Sequence, residues 1–379
     1  MEKKYIDLRI FFIVSLVFLF RGLLIGENSK ELSISEFLVA LDGSGNFSSI
    51  QAAINAAVEV GGNATVWIKN GSYFEDLSLY SGVNLVGASG LGDLGDVEIT
   101  GVHTPPISGH IVLRNIRWNG LDYILFSEEA GTCHITVIDA LLNVQDGYSF
   151  YLPNWDGLGG GALELQDVNP GFPEWSQDGG VYNPYGRAKI FIYNAGLGIG
   201  TEKNMFLSGP VNMLASCIGC ALQLDLDAEL NCNSSVISRI IFEGSSFGNV
   251  SNTHILSETG PAITMNSTGK VSFNTCVIDG TQDPVISGND LGVFNINGCA
   301  FPNKSKITLQ HDLSINDSMK VGALEMTSMH VLLFTGIGAP SYEAPKGSLY
   351  LRIDGYSSTT RIYINIDGSS QWTYVQSGQ

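Results

Sequence analysis

The chain has 379 residues, among them 19 basic and 37 acidic side chains, and a formal net charge of −18. Such an acidic balance argues against nucleic acids and anionic membrane surfaces as partners, since both are themselves anionic. Forty-five glycines with only 15% charged residues are typical of a turn-rich β architecture and unlike a helical one.

A basic and apolar segment opens the chain at residues 1–26. Lysines and an arginine precede an apolar run over 10–20 that only one serine interrupts. The length of this run is typical of a signal-peptide core and is short for a membrane-spanning helix. We therefore expect a secretory signal here, with a retained membrane anchor through residues 10–25 as the alternative, and exclude the segment from the fold.

A short amphipathic helix is predicted over residues 48–60. Ser48 is a good N-cap residue, and Gln51 three residues later completes a capping box. One apolar stripe follows at helical spacing, formed by Ile50, Ala53, Ile54, Ala57 and Val58. Gly61 and Gly62 end the helix. A lone helix before many short strands suits a cap on the open end of a β-solenoid.

Two motifs around this helix carry a resemblance to a known family. Residues 42–54 read DGSGNFSSIQAAI, and Gly71–Glu75 form the motif G-x-Y-x-E. Together they resemble the opening of pectin methylesterases and related pectin-lyase-like β-helix proteins. The resemblance implies a right-handed parallel β-helix in which Tyr73 and Glu75 are structural. The later segments that hold the catalytic aspartates, the oxyanion glutamine and the arginine of those esterases are missing, which argues against an enzyme.

Short strands alternate with Gly, Asn, Asp and Ser turns from about residue 66 to residue 335. Similar segments recur at roughly 20–24 residues, as in KVSFNTCVIDG and GVFNINGCAF. This period favours an all-β fold, a single-stranded parallel β-helix over residues 27–335, over a β-sandwich with hairpin signals about every 8–12 residues. That this β-helix is right-handed is what the family resemblance implies. We expect Cys276 and Cys299 to stack inside consecutive turns of this helix.

Residues 148–185 depart from the pattern because they are rich in aromatic residues, prolines and glycines. We expect a long loop, or a set of loops, that projects from the solenoid. Aromatic faces beside acids and amides are typical of carbohydrate sites. The carbohydrate-binding residues predicted from this segment are Tyr151, Trp155, Trp175, Tyr182 and Tyr185. The alternative is that these side chains pack the insertion onto the solenoid or onto a neighbouring subunit.

Four aspartates are candidates for catalysis: Asp156 and Asp178 in the aromatic segment, and Asp225 and Asp227 in LQLDLDAEL. Two carboxyl groups held about 5–9 Å apart could hydrolyse a glycosidic bond. Asp225 and Asp227 would face one side of a strand, since positions i and i+2 do. A solvated acidic face is the alternative. Neither the cysteines nor the histidines have the spacing of a metal site, so we expect no metal and no cofactor.

A small β-hairpin module is predicted over residues 336–379, after a Gly/Pro linker. Its two alternating segments, SLYLRIDG and RIYINIDG, share an ending and suit successive hairpin strands. The module resembles a short C-terminal cassette of tail-fibre, tailspike and other virion surface proteins.

The resemblance of the C-terminal module implies a secreted or virion-surface, fibre-like or spike-like protein, and the aromatic segment favours recognition of a glycan or a cell-surface polysaccharide during host attachment. A homotrimer is expected, because it would bury the solenoid sides symmetrically. One alternative is a polysaccharide-active enzyme (a lyase, hydrolase or carbohydrate esterase) of the pectin-lyase-like superfamily. Another is a purely architectural shell component.

Overall fold

Parallel strands dominate the computed structural model, which is 56% strand and 4% helix. The structure describes residues 37–88, 97–170, 177–198, 203–280, 285–288, 293–297, 299–300, 307–309, 313–316, 323–326, 331–336, 338–341, 343–344, 346–352, 354 and 361–375. The predicted signal or anchor and Trp175 lie outside these residues. In the described ranges, no helix has the length and hydropathy that crossing a membrane requires.

The chain forms one helix, α1 (Ile50–Glu59), and 33 strands within the described residues. The first strands are β1 (Leu38–Val39), β2 (Ala64–Ile68), β3 (Gly71–Phe74), β4 (Val83–Gly87), β5 (Val97–Thr100), β6 (His110–Arg114), β7 (Arg117–Gly120), β8 (Tyr123–Phe126), β9 (His134–Val144), β10 (Tyr148–Tyr151) and β11 (Ala162–Pro170). The next are β12 (Val181–Asn183), β13 (Lys189–Tyr193), β14 (Gly196–Leu197), β15 (Asn204–Leu207), β16 (Pro210–Leu214), β17 (Cys217–Leu224), β18 (Glu229–Asn233), β19 (Val236–Gly244), β20 (Phe247–Ser251), β21 (His254–Ser257) and β22 (Ile263–Ser267). The last are β23 (Lys270–Asn274), β24 (Val277–Gly280), β25 (Ile286–Gly288), β26 (Val293–Asn297), β27 (Ile307–Leu309), β28 (Leu313–Asn316), β29 (Ala323–Met326), β30 (Val331–Gly336), β31 (Leu349–Arg352), β32 (Ile362–Asn365) and β33 (Trp372–Tyr374).

The strands stack in parallel on three faces of a solenoid, one rung per coil. The first face contains β1, β2, β4, β6, β9, β11, β13, β16, β18, β20, β23, β26 and β28. The second contains β3, β5, β7, β14, β21, β24 and parts of β9, β11, β17 and β19. The third contains β8, β10, β12, β15, β22, β25, β27, β29 and the ends of β17 and β19. The predicted all-β, parallel β-helix is confirmed.

A single residue in the left-handed backbone region turns the chain from the first face to the second. In eight successive coils this corner residue is Asn115, Asp139, Asp167, Asn194, Ala215, Ser234, Asn252 or Thr275, with φ between 49° and 57°. Asn and Asp tolerate this conformation better than most residues with a Cβ atom. The corners also continue the ladder, because the Ala215 amide donates to the Asn233 carbonyl at 3.2 Å and the Ser234 amide to the Ser251 carbonyl at 3.1 Å.

The side chain after each corner points into the core, where a column of small polar groups forms. Ser216, Ser235, Thr253, Cys276 and Cys299 occupy this position in successive coils and are all buried. The Ser216 amide donates to the Ser235 hydroxyl at 3.2 Å, and the Cys276 amide to the Cys299 sulfur at 3.4 Å. The prediction that Cys276 and Cys299 stack inside consecutive coils is confirmed. All six cysteines of the chain are free.

Helix α1 covers the first coil, with Ile50, Ala53, Ile54 and Ala57 buried against it. Its N-cap is Ser49, one residue later than predicted, and the Ser49 hydroxyl accepts from the Ala52 amide at 3.2 Å. We expected the side chain of Gln51 to complete a capping box, but the side chain that caps the first turn of the helix is that of Glu75. Its carboxylate accepts from the Ile50 amide at 2.8 Å, the Gln51 amide at 3.0 Å and the Ser49 hydroxyl at 2.8 Å. The glutamate of G-x-Y-x-E is therefore a helix-capping residue, where its negative charge also suits the helix dipole.

The C-terminal strands change from parallel to antiparallel pairing. Strand β31 pairs in parallel with β30 and antiparallel with β32, and β32 pairs antiparallel with β33. The two segments that the sequence predicted as hairpin strands are β31 and β32, so this prediction is confirmed. Arg352 and Asp354 form an ion pair at 2.7 Å beside this hairpin.

His103 is a buried histidine near the N-terminal end of the solenoid. The Nδ1 atom of His103 accepts a hydrogen bond from the Leu77 amide at 3.1 Å, and its ring packs edge-on against Trp118 with centroids 4.9 Å apart. Burial lowers the pKa of His103 from 6.5 to about 4, because the charged ring would lose its hydration. The folded protein therefore holds this side chain neutral.

We expect His103 to make the protein less stable as the pH falls from about 6.5 to about 4. The unfolded chain takes up a proton in this range and the folded chain does not, so the neutral histidine stabilises the fold fully only above pH 6.5. A shift from 6.5 to about 4 corresponds to a loss of roughly 3 kcal/mol. Urea unfolding between pH 7 and pH 4.5 should show a shallower slope for His103→Asn, whose amide oxygen can still accept from Leu77. Equal slopes in both proteins would contradict this assignment.

Candidate functional site

Six aromatic side chains form a continuous column on the outside of the third face. They are Tyr123 and Phe126 on β8, Tyr148 and Tyr151 on β10, Tyr182 on β12 and Phe206 on β15. All six are partly exposed, whereas the residues between them, such as Phe150 and Val181, are buried. The strand register places Phe126, Tyr151, Tyr182 and Phe206 opposite one another on four successive rungs. We call these six residues the aromatic column.

The rings of the aromatic column stack on one another along the solenoid axis. Tyr151 and Tyr182 are parallel within 1° with centroids 4.9 Å apart, and Phe126 and Tyr151 are parallel within 13° at 5.3 Å. Tyr123 lies 4.8 Å from Tyr151, and Tyr182 contacts Phe206 edge-on at 5.4 Å. Stacked rings cover much of each other's faces, so the column offers mainly ring edges and hydroxyl groups to solvent.

Tyr185 supplies an exposed aromatic ring beside the column. It is 66% exposed and lies in the loop after β12, where its amide donates to the Pro153 carbonyl at 3.1 Å. Burial raises the pKa of Tyr182, and the neighbouring Tyr185 hydroxyl raises it further. Burial also raises the pKa of Tyr148 to about 12 and the pKa of Tyr151. These hydroxyls stay protonated at neutral pH and can both donate and accept hydrogen bonds.

Exposed acidic side chains lie next to two rings of the aromatic column, Tyr123 and Tyr151. Asp122 is exposed and directly precedes Tyr123 in the chain. Glu128 is exposed and lies close enough to Tyr151 to raise the pKa of that tyrosine. The lysine of this part of the face, Lys203, forms an ion pair with Asp146. The column is therefore an apolar and hydroxyl-bearing surface in a negative electrostatic field.

The structure corrects the prediction that residues 148–185 are loops. Tyr148–Tyr151, Ala162–Pro170 and Val181–Asn183 are rungs of the solenoid, paired in parallel with the rungs before and after them. A segment rich in aromatic residues, glycines and prolines has the composition of a loop. The register of the neighbouring coils makes them strands, and the tyrosines of β10 and β12 become an outer surface.

Tyr151, Tyr182 and Tyr185 are brought together by the structure, but Trp155 is not. Trp155 is 0% exposed and lies in the hydrophobic core, and its indole N–H donates to the Cys133 carbonyl at 2.9 Å. Its ring cannot contact a ligand at the surface, so the prediction of Trp155 as a carbohydrate-binding residue is wrong. Trp155 is the last residue of a tight turn that begins at Leu152, and its side chain points inward from this turn.

Asp178 is a buried structural residue and does not lie at a catalytic surface. Its carboxylate accepts from the Ser149 amide, the Ser149 hydroxyl and the Gly180 amide, each at 2.8 Å. Burial raises the pKa of Asp178, while these hydrogen bonds oppose the increase. Its three hydrogen-bond donors and its burial account for an aspartate at this position, and no catalytic role is needed to explain it.

The other three candidate aspartates occupy turns. Asp225 and Asp227 follow the end of β17, with Leu226 between them at φ 53°, so they do not share a strand face and that premise was wrong. Asp225 accepts from the Leu226 amide at 2.7 Å, and Asp227 pairs with Arg187 at 3.2 Å. Asp156 accepts from the Leu158 amide at 2.8 Å and forms a strand bridge to Arg187. Each carboxylate thus has a local structural partner.

The sequence reasoning missed four members of the column: Tyr123, Phe126, Tyr148 and Phe206. A signal was present, because aromatic residues recur at the same position of successive rungs in YILF, YSFY, VYN and NMFL. An alignment of the successive rungs with one another shows these recurring aromatic positions, whereas the overall composition of the segment does not. Elsewhere in the described residues, no group of three or more His, Cys, Asp or Glu side chains could hold a metal ion.

Comparisons with known proteins give no match: no family model, no curated protein and no solved structure matches this chain. The fold stands on the strand pairing itself.

Proposed function

We propose that this chain is a glycan-binding β-helix protein of a secreted or virion surface, and that the aromatic column with Tyr185 is its binding face. The observation that carries the proposal is the alignment of six partly exposed rings on four successive rungs of a rigid scaffold. Tyrosine combines an apolar ring with a hydroxyl group at low cost in conformational entropy, which suits contacts with the C–H and O–H groups of a sugar.

The proposed role is attachment to a glycan-bearing cell surface. The resemblance of the C-terminal hairpin to cassettes of tail-fibre and tailspike proteins supports this role, as does the resemblance of the N-terminal part to pectin-lyase-like proteins. Homotrimer formation, and secretion or anchoring through residues 1–26, stay predictions within the same proposal.

The double variant Tyr151→Ala/Tyr182→Ala should bind glycans at least tenfold more weakly than the wild type. Each truncation removes a partly exposed ring and its hydroxyl from the centre of the column, and a tenfold loss corresponds to about 1.4 kcal/mol. The measurement is a glycan array followed by titration calorimetry on the best ligand. Tyr151→Phe/Tyr182→Phe separates the hydroxyl groups from the rings, because it keeps the stack.

The matched control is Phe191→Ala/Tyr193→Ala. These two rings are also partly exposed and lie 6.2 Å apart, but on the first face. Their removal should leave glycan affinity unchanged. Equal affinity of the tyrosine double variant and the wild type would remove the aromatic column as the binding face. Release of new reducing ends from the ligand would instead favour the enzyme alternative.

A further inference from the structure

We infer that the ligand of the aromatic column is an uncharged, extended polysaccharide whose chain runs along the solenoid axis; this inference rests on the proposed function. It adds the charge class, the length and the orientation of the ligand, which the presence of tyrosines alone does not specify.

The direction follows from the spacing of the rings. Phe126, Tyr151, Tyr182 and Phe206 face one another across parallel rungs, so the column extends along the axis and across the strands. The three intervals between these four rungs, at about 4.8 Å each, give a length of roughly 14 Å between the first and last ring. The centroids of neighbouring rings among these four lie 4.9 to 5.4 Å apart.

A surface that repeats the same contact at a constant interval suits a ligand that repeats as well. Tyr151 and Tyr182 offer nearly identical edges and hydroxyl groups because their planes differ by only 1°. A linear polysaccharide presents the same C–H and O–H groups at each sugar unit. A single terminal sugar would use one interval of this surface, whereas a chain along the axis would use all of them.

The charge class follows from the acidic field. Asp122, which directly precedes Tyr123 in the chain, is an exposed acid. Two basic side chains are engaged by aspartates, Lys203 by Asp146 and Arg187 by Asp227. Glu128 lies beside Tyr151 with an exposed carboxylate. A carboxylated or sulfated chain would therefore meet like charge beside Tyr123 and Tyr151, and Lys203 and Arg187 are already paired with aspartates.

Hydroxyl groups provide the polar contacts that an uncharged chain needs. Tyr123, Tyr148, Tyr151 and Tyr182 each carry one, and Tyr185 adds a fifth together with an exposed ring. The raised pKa of Tyr148, Tyr151 and Tyr182 keeps these groups as neutral donors. Hydroxyl donors and acceptors match sugar hydroxyls without requiring charge on the ligand.

The test uses the whole chain on an array of neutral, carboxylated, sulfated and amine-bearing polysaccharides. The preferred neutral chain is then compared with its own carboxymethylated derivative at 20 mM and 300 mM NaCl, concentrations that bracket the range in which surface charges become screened. We expect at least tenfold tighter binding of the neutral chain at low salt. The difference should shrink at high salt through improved binding of the derivative, while binding of the neutral chain stays constant.

Two charge variants sharpen the test. Glu128→Gln should reduce the ratio of the two affinities, neutral chain over carboxymethylated chain, at low salt. The variant removes the carboxylate whose charge raises the pKa of Tyr151. Glu59→Gln is the matched control, since Glu59 is an exposed acid at the end of α1 and should leave the preference unchanged. Oligomers of increasing length should bind more tightly until they span the column, whereas a monosaccharide-sized optimum contradicts the axial orientation.

The outcomes separate this inference from the proposed function. Binding of an acidic or amine-bearing chain that depends on Tyr151 and Tyr182 would overturn the inference and leave the aromatic column as a glycan site. Absence of any glycan binding that depends on these tyrosines would overturn both.

Discussion

Replacing Trp155 by alanine should lower the free energy of unfolding by about 3–5 kcal/mol. The indole is 0% exposed, packs closely against Gly131, and donates to the Cys133 carbonyl at 2.9 Å. Its loss creates a cavity in the hydrophobic core and removes one of the two donors to the Cys133 carbonyl, which keeps its hydrogen bond from the Ala162 amide. Since proteins of this kind are marginally stable, such a change is a large part of the total.

Urea unfolding followed by circular dichroism would measure this effect. Trp155→Phe should cost less, because it keeps most of the apolar volume and loses only the indole donor. Leu158→Ala is the control three residues away, where the side chain is 84% exposed and its removal should change little. If Trp155→Ala kept wild-type stability but lost glycan binding, a surface role for Trp155 would have to be restored.

Asp178→Ala is expected to destabilise the protein by about 3–5 kcal/mol, because it leaves buried donors without an acceptor. The affected groups are the Ser149 amide, the Ser149 hydroxyl and the Gly180 amide, all at 2.8 Å from the carboxylate. Asp178→Asn should lose less, since one amide oxygen can still accept two of these bonds. The midpoint of thermal or urea unfolding would report both variants.

A catalytic role for Asp178 would produce a different result. Asp178→Asn would then keep the wild-type unfolding midpoint and lose turnover of a polysaccharide. Asp122→Ala is the stability control, because Asp122 is an exposed acid and its removal should change the unfolding free energy by less than about 0.5 kcal/mol.

Local sequence signals were sufficient for the architecture of the solenoid. Of the five residues predicted for the apolar stripe of α1, Ile50, Ala53, Ile54 and Ala57 are buried, and Val58 is partly buried against the core. The N-cap was predicted one residue early because its partner, Glu75, lies 25 residues from Ile50 along the chain. A contact of that range follows from coiling, and a capping motif read over four residues cannot contain it.

The binding face was predicted only in part, for a related reason. Tyr151, Tyr182 and Tyr185 were found through composition, but composition treats Trp155 as equivalent to them. Whether an aromatic side chain faces the core or solvent depends on its position within a rung. That position is defined by pairing with the neighbouring coils, such as Tyr151 with Phe126, about 25 residues earlier in the chain.

The constant corner between the first and second faces has a consequence for how this protein can change. Only 18 residues separate the corners at Ser234 and Asn252, whereas 28 separate those at Asp139 and Asp167. Because each corner is held to one residue, every insertion or deletion must be absorbed on the remaining circumference. The coils with more residues are those that carry the aromatic column. New recognition loops can therefore be grafted at that side during evolution or engineering, while the corner keeps the rungs in phase.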